Sequence, residues 1–86
     1  MIIELKNYMT AKVLLSDHGD KINKELNLND IDGEIKVILP EEFYLINVSF
    51  WLGLIGGCDP ESFTLNKTNM QFNEAVRIIN RSSTWG

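Results

Sequence analysis

The sequence predicts a small α/β fold, an open sheet of about four strands with three helices in the order β-β-α-β-α-β-α. Three observations carry that expectation. Short apolar segments of period two alternate with segments of helical period. Pro40, Gly56, Gly57 and Pro60 punctuate the chain between them. The 86 residues, 44% apolar and 23% charged, suffice for one core and one domain, assigned here to residues 1–81 with 82–86 as a C-terminal tail.

The elements follow in order. In Ile2 to Lys6, Ile3 and Leu5 share one face at period two, and Ala11 to Leu15 is again short and β-prone, so the two segments are expected to pair as an antiparallel N-terminal hairpin. Ser16 or Asp17 opens a helix carrying Ile22 and Leu26 at i,i+4, with Lys21 and Glu25 as an exposed pair. The polar run Asn27 to Gly33 ends it. A strand follows with Ile35, Val37 and Leu39 on one face and Ile38 on the other, which predicts a central strand covered on two sides. Pro40 stops its ladder.

The most apolar stretch, Val48 to Gly57, reads as a short buried helix. Asn47 or Ser49 supplies its cap oxygen, Gly53 a close-packing contact, and Gly56 with Gly57 the left-handed stop. Ser62 to Leu65 is a strand with Phe63 and Leu65 inward. Thr68 and Gln71 form a capping box for a last helix, on which Phe72, Ala75, Val76 and Ile79 recur at helical spacing. Strands alternating with helices imply parallel pairing through crossovers, the N-terminal hairpin excepted.

The formal net charge is −4, which argues against direct nucleic-acid binding, because no cationic surplus is available to release counterions. The charge is unevenly placed. Residues 30–61 hold Asp30, Asp32, Glu34, Glu41, Glu42, Asp59 and Glu61 against Lys36 alone, whereas Lys67, Arg77 and Arg81 face only Glu74 in the last segment. A dipolar surface results, able to orient a partner. The single cysteine, Cys58, cannot form an internal disulfide, and the start lacks a secretory pattern, so a reducing compartment, the cytosol, is expected. The charge-free stretch Phe43 to Cys58 would span about 24 Å as a helix, short of the roughly 30 Å hydrocarbon core, so no membrane span is expected.

Few residues carry chemistry. His18 lies between Asp17 and Asp20, but it is the only histidine and a zinc site needs about four ligands, so no metal and no cofactor is expected. The acidic neighbours of His18 complement a helix dipole without any ligand. No nucleophile motif accompanies it, and no catalytic residue is assigned. Gly53, Gly56 and Gly57 lie within and after an apolar segment, not between a strand and a helix start, so they are not a phosphate loop. Trp51 and Trp85 are the candidate recognition anchors, Trp51 leaning to the core.

The strings AKVLLSDHGDKI, GEIKVIL and FYLINVSFWLGLIGG together resemble the STAS domain (sulfate transporter and anti-sigma factor antagonist), more narrowly the small bacterial STAS-like domains. Phe43, Ile46, Ser49 and Phe50 match that group's aromatic-x-x-Ile-x-x-Ser-Phe segment, and the likeness spans residues 11 to 81. It implies an α/β fold and a protein partner, such as a kinase or another regulator, docking at the start of the second helix. Ser49 corresponds to the serine that is phosphorylated in anti-sigma antagonists, while Asn47, Val48 and Phe50 replace the flanking Asp, Ser and Gly of their Asp-Ser-Ser-Gly motif.

Two functions follow. The first is a non-enzymatic interaction or regulatory module, contacting its partner through Ser49, Asn47, Phe43, Tyr44, Glu41, Glu42 and Trp85, with Ser49 as the site of phosphorylation. The second is a small acidic inhibitor or decoy of the phage or mobile-element type, blocking the basic surface of a nucleoprotein complex. Either is compatible with a monomer or a homodimer.

Overall fold

The computed structural model describes residues 1–8, 13–40 and 45–83. Strand β1 (Ile2–Glu4) and a 3-10 turn lead to β2 (Val13–Leu14) and α1 (Ser16–Leu26). Then come β3 (Ile35–Ile38), β4 (Leu45–Ile46), α2 (Val48–Ile55), β5 (Phe63–Leu65) and α3 (Met70–Ser83). The α/β class and the three helices stand as expected; the expected four strands and their order do not, because among the described residues five short strands occur and two of them, β3 and β4, follow each other without a helix between.

The strands pair differently from the expectation. β1, β3 and β5 form one parallel sheet with β3 in the centre, and β2 pairs in parallel with β4 in a second, two-stranded sheet. The antiparallel N-terminal hairpin does not form. β1 lies against β3 because Ile3 and Val37 then share the core face, and the chain's first residue closes the ladder: the Lys36 N–H donates to the Met1 carbonyl at 2.8 Å. Helix α1 supplies the crossover that a parallel pair needs. β4 is a further departure, a strand between Pro40 and α2 that the expected element order does not contain; it pairs Leu45 with Val13 and Ile46 with Leu14. Each of these two short strands runs directly into a helix, so their pairing sets the starts of α1 and α2 side by side.

The helices form one layer. α1 packs on α2 and α2 on α3, and the apolar side of the sheet closes a single core with them: Ile3, Ile35, Val37, Leu39 and Phe63 with Phe50, Trp51, Leu54, Ile55 and Ala75. Central α2 accordingly has no exposed face to spare at Phe50, Trp51, Leu54 or Ile55, all 0% exposed. Among the described residues the expected two-sided cover of β3 is not found. Lys36, Glu4 and Thr64 on the outward face are exposed and Ile38 is half-buried, so helices cover one side only.

Local stops and caps explain the helix ends. α1 ends where Asn27 takes the left-handed conformation (φ 52°, ψ 48°), and α2 at Gly56, whose positive φ with a different ψ (54°, −121°) is one that glycine enters without a Cβ penalty. The exposed pair on α1 joins Asp20 to Lys24 at 3.1 Å, rather than Lys21 to Glu25, the acid standing N-terminal as the helix dipole favours. The start of α3 is capped by Asn69, not by a Thr68–Gln71 box: its Oδ1 accepts the Phe72 N–H at 2.8 Å. α3 continues to Ser83, two residues into the expected tail.

Candidate functional site

The start of α2 is built by two short side chains. Asn47, in extended conformation (φ −72°, ψ 154°), accepts the Ser49 N–H at 3.1 Å, and the Ser49 hydroxyl donates to the same Oδ1 at 3.3 Å. Asn47 is therefore the cap, and Ser49 is the second residue of the helix, half-buried. Phe50, which follows it, is in the core and does not flank the hydroxyl at the surface. The remaining residues assigned to this contact, Glu41, Glu42, Phe43, Tyr44 and Trp85, lie outside the described residues. Trp51 is structural: its ring packs edge-on against Phe50 and Phe72, and its Nε1 donates to Asn69 at 3.1 Å.

The division of labour at this helix start predicts unequal effects. Asn47→Ala should lower stability by about 1 kcal/mol, the usual cost of a lost cap, and Ser49→Ala by clearly less. Urea denaturation of both variants measures this; a larger loss at Ser49 would return the cap to the serine.

His18 also has a local task. Its Nδ1 accepts the Leu15 N–H at 3.0 Å, so the imidazole reaches back across the first turn of α1 and satisfies the amide at the helix entry. Beside it, a groove of about 470 Å³ lies between Asn7–Tyr8 and Asp17, His18, Lys21, Ile22 and Glu25 of α1. Its charges are of both signs. Among the described residues no group of three His, Cys, Asp or Glu side chains could hold a metal ion.

A polar network that the sequence reading missed ties the end of α2 to the loop after α1. Asn23, 5% exposed, donates through Nδ2 to the Leu54 carbonyl at 2.7 Å and to Asn29 Oδ1 at 3.2 Å. That oxygen also accepts the Gly57 N–H at 3.1 Å and the Cys58 thiol at 3.3 Å. Burial pushes the Cys58 thiol up from its ordinary value, which leaves it a protonated hydrogen-bond donor and a poor nucleophile at neutral pH. The available signal was the apolar stripe of α1, which Asn23 interrupts beside Ile22.

The acidic residues are gathered by topology. Asp30, Asp32 and Glu34 lie on the segment entering β3, and Asp59 and Glu61 on the segment entering β5. Because these strands are parallel, with Ile35 beside Phe63, both segments fall at the amino end of the sheet. All five side chains are exposed, and none is ion-paired among the described residues. The rim is held by backbone: Asp59 Oδ1 accepts the Glu61 N–H at 3.0 Å, and the terminal ammonium donates to the Glu34 carbonyl at 3.0 Å. Lys6 and Lys67 follow the carboxyl ends of β1 and β5, so charge changes sign along the strands.

Fold and surfaces together define a small two-layer α/β protein with one acidic rim. No family model, no curated protein and no solved structure matches the chain. No helix among the described residues is long and apolar enough to cross a membrane.

Proposed function

We propose that this chain is a non-enzymatic protein-binding module whose contact surface is the acidic rim at the amino end of the sheet. Its partner presents a basic surface of the kind that otherwise holds nucleic acid. The observation that carries this reading is the convergence of five unpaired, exposed carboxylates from two separate loops onto one end of a parallel sheet. Such a field speeds encounter with a basic partner and sets its orientation. Carboxylates on short loops between packed elements also lose little freedom on binding, which keeps the cost of association down.

A second reading places a STAS-like regulatory contact at the start of α2. It is favoured by Ser49, since a phosphate there would meet the positive end of the helix. One experiment separates the two. Protein is used to capture partners from its native host lysate as wild type, as the triple variant Asp32→Lys, Glu34→Lys, Glu61→Lys, and as Ser49→Asp. The rim reading expects a basic partner that is retained at about 0.15 M salt, where screening acts over roughly 8 Å, and released by added salt. It should be lost with the triple variant and kept with Ser49→Asp, the melting temperatures remaining close to wild type. Retention by the triple variant with loss on Ser49→Asp would move the contact to α2, and binding indifferent to salt and to all substitutions would exclude both surfaces.

A further inference from the structure

Parallel sheets are ordinarily covered on both faces, yet among the described residues no element covers one face here, which carries Ile2 at 67% exposure on edge strand β1. The other outward residues are Glu4, Lys36, Ile38 and Thr64. Register fixes their arrangement. Ile2 lies beside Lys36, and Glu4 beside Ile38, so these side chains form a rectangle, about 4.8 Å across the strands and about 6.6 Å along them, with the apolar residues on one diagonal and the opposite charges on the other. Lys36 has no ion-pair partner among the described residues, and Glu4 meets only Lys6, at 3.8 Å and largely in solvent.

We propose that this face is the interface of a symmetric homodimer, its occupant a second copy of the chain. A twofold axis lying in the interface along the Ile2–Ile38 diagonal returns the apolar corners to themselves and carries each charged corner close to the opposite one, within reach of the long Glu4 and Lys36 side chains. Each Glu4 then faces the partner's Lys36, and each isoleucine faces its own counterpart. That is the self-complementarity an isologous contact demands. The same operation turns the strand direction, so the two sheets cross steeply, as in orthogonally packed sheets. No basic partner for the acidic rim would be recognised in this way, because the face is neutral overall. Its five side chains make a patch smaller than the roughly 800 Å² per partner of a standard interface, so the dimer is weak and reversible.

Sedimentation equilibrium of the untagged full chain, from micromolar to millimolar concentration, tests the proposal. Wild type should approach twice the monomer mass at the high end. Lys36→Glu sets carboxylate against carboxylate twice over and should weaken association by about tenfold or more, and Ile2→Lys, which puts like charges on the axis, should do the same. The double variant Glu4→Lys, Lys36→Glu restores both pairs and should recover dimerisation, with circular dichroism and melting temperature unchanged throughout. A wild-type chain that stays monomeric at every concentration overturns the proposal. So does a dimer insensitive to Lys36→Glu and Ile2→Lys, or a double variant as weak as the single one.

Discussion

Replacing Gly19 by alanine is expected to destabilise the protein by about 3 kcal/mol or more, with Gly53→Ala close behind. The sign is opposite to that in an ordinary helix, where the same change gains up to about 1 kcal/mol because alanine loses less entropy on folding. Here the space for a methyl group is already taken by backbone. A Cβ on Gly19 would overlap the Phe50 carbonyl oxygen and stand 2.7 Å from the Leu54 nitrogen; one on Gly53 would stand 2.5 Å from the Ser16 carbonyl oxygen. Main-chain atoms within a helix cannot rotate aside as a side chain can, so α1 and α2 must separate. Their separation loosens Ile22, Phe50 and Leu54, all in the core. Against a total stability of about 5–15 kcal/mol for a domain of this kind, each variant should shift the urea midpoint strongly and the double variant should fail to fold. A midpoint equal to or above wild type for Gly19→Ala would mean that the helices cross further apart than described.

The second large effect is expected at Trp51. Trp51→Ala removes the largest fully buried side chain and its edge-on contacts with Phe50 and Phe72, at a cost of about 4 kcal/mol. Trp51→Phe should cost less, because most of the volume remains, but it leaves Asn69 without the indole N–H donor. The same Asn69 oxygen caps α3, so the indole couples the centre of α2 to the entry of the last helix. A double-mutant cycle of Trp51→Phe with Asn69→Ala should therefore show a coupling of about 0.5 kcal/mol or more. If Trp51 served a partner rather than the core, Trp51→Ala would leave the melting temperature in place, and calorimetry decides the matter directly.

The candidate surfaces were legible in unequal measure. Both roles offered for the start of α2 rested on residue type and spacing, and those identify a polar helix entry at Asn47 and Ser49 without saying which oxygen does the capping. The two lie two residues apart in helix phase, which is set by how Phe50 and Trp51 reach the core. The acidic composition of residues 30–61 was plain, but its collection at one end of the sheet required knowing that β3 and β5 run in the same direction. The Asn23, Asn29 and Cys58 network left only one mark in the sequence, the polar Asn23 beside Ile22 on α1, since its members come from three separate segments.

What this sequence determines unaided is local. The period-two run at Ile35 to Leu39, the helical stripe from Phe72 to Ile79 and the stop at Gly56 each express interactions among residues a few positions apart, and each appears where the pattern predicts. The tertiary structure alone decided that Ile2–Glu4 pairs in parallel with β3, that the sheet is covered on one side, and that Gly19 meets Gly53's helix at backbone distance. A strand's apolar period says which face is inward and nothing about which neighbour it takes, because any strand presents the same unsatisfied backbone groups to its sides. Neighbours are chosen by the combined burial of residues far apart in the chain, and here that choice places Ile3 on Val37, lays α1 across α2, and leaves the opposite face of the sheet to solvent or to a second copy.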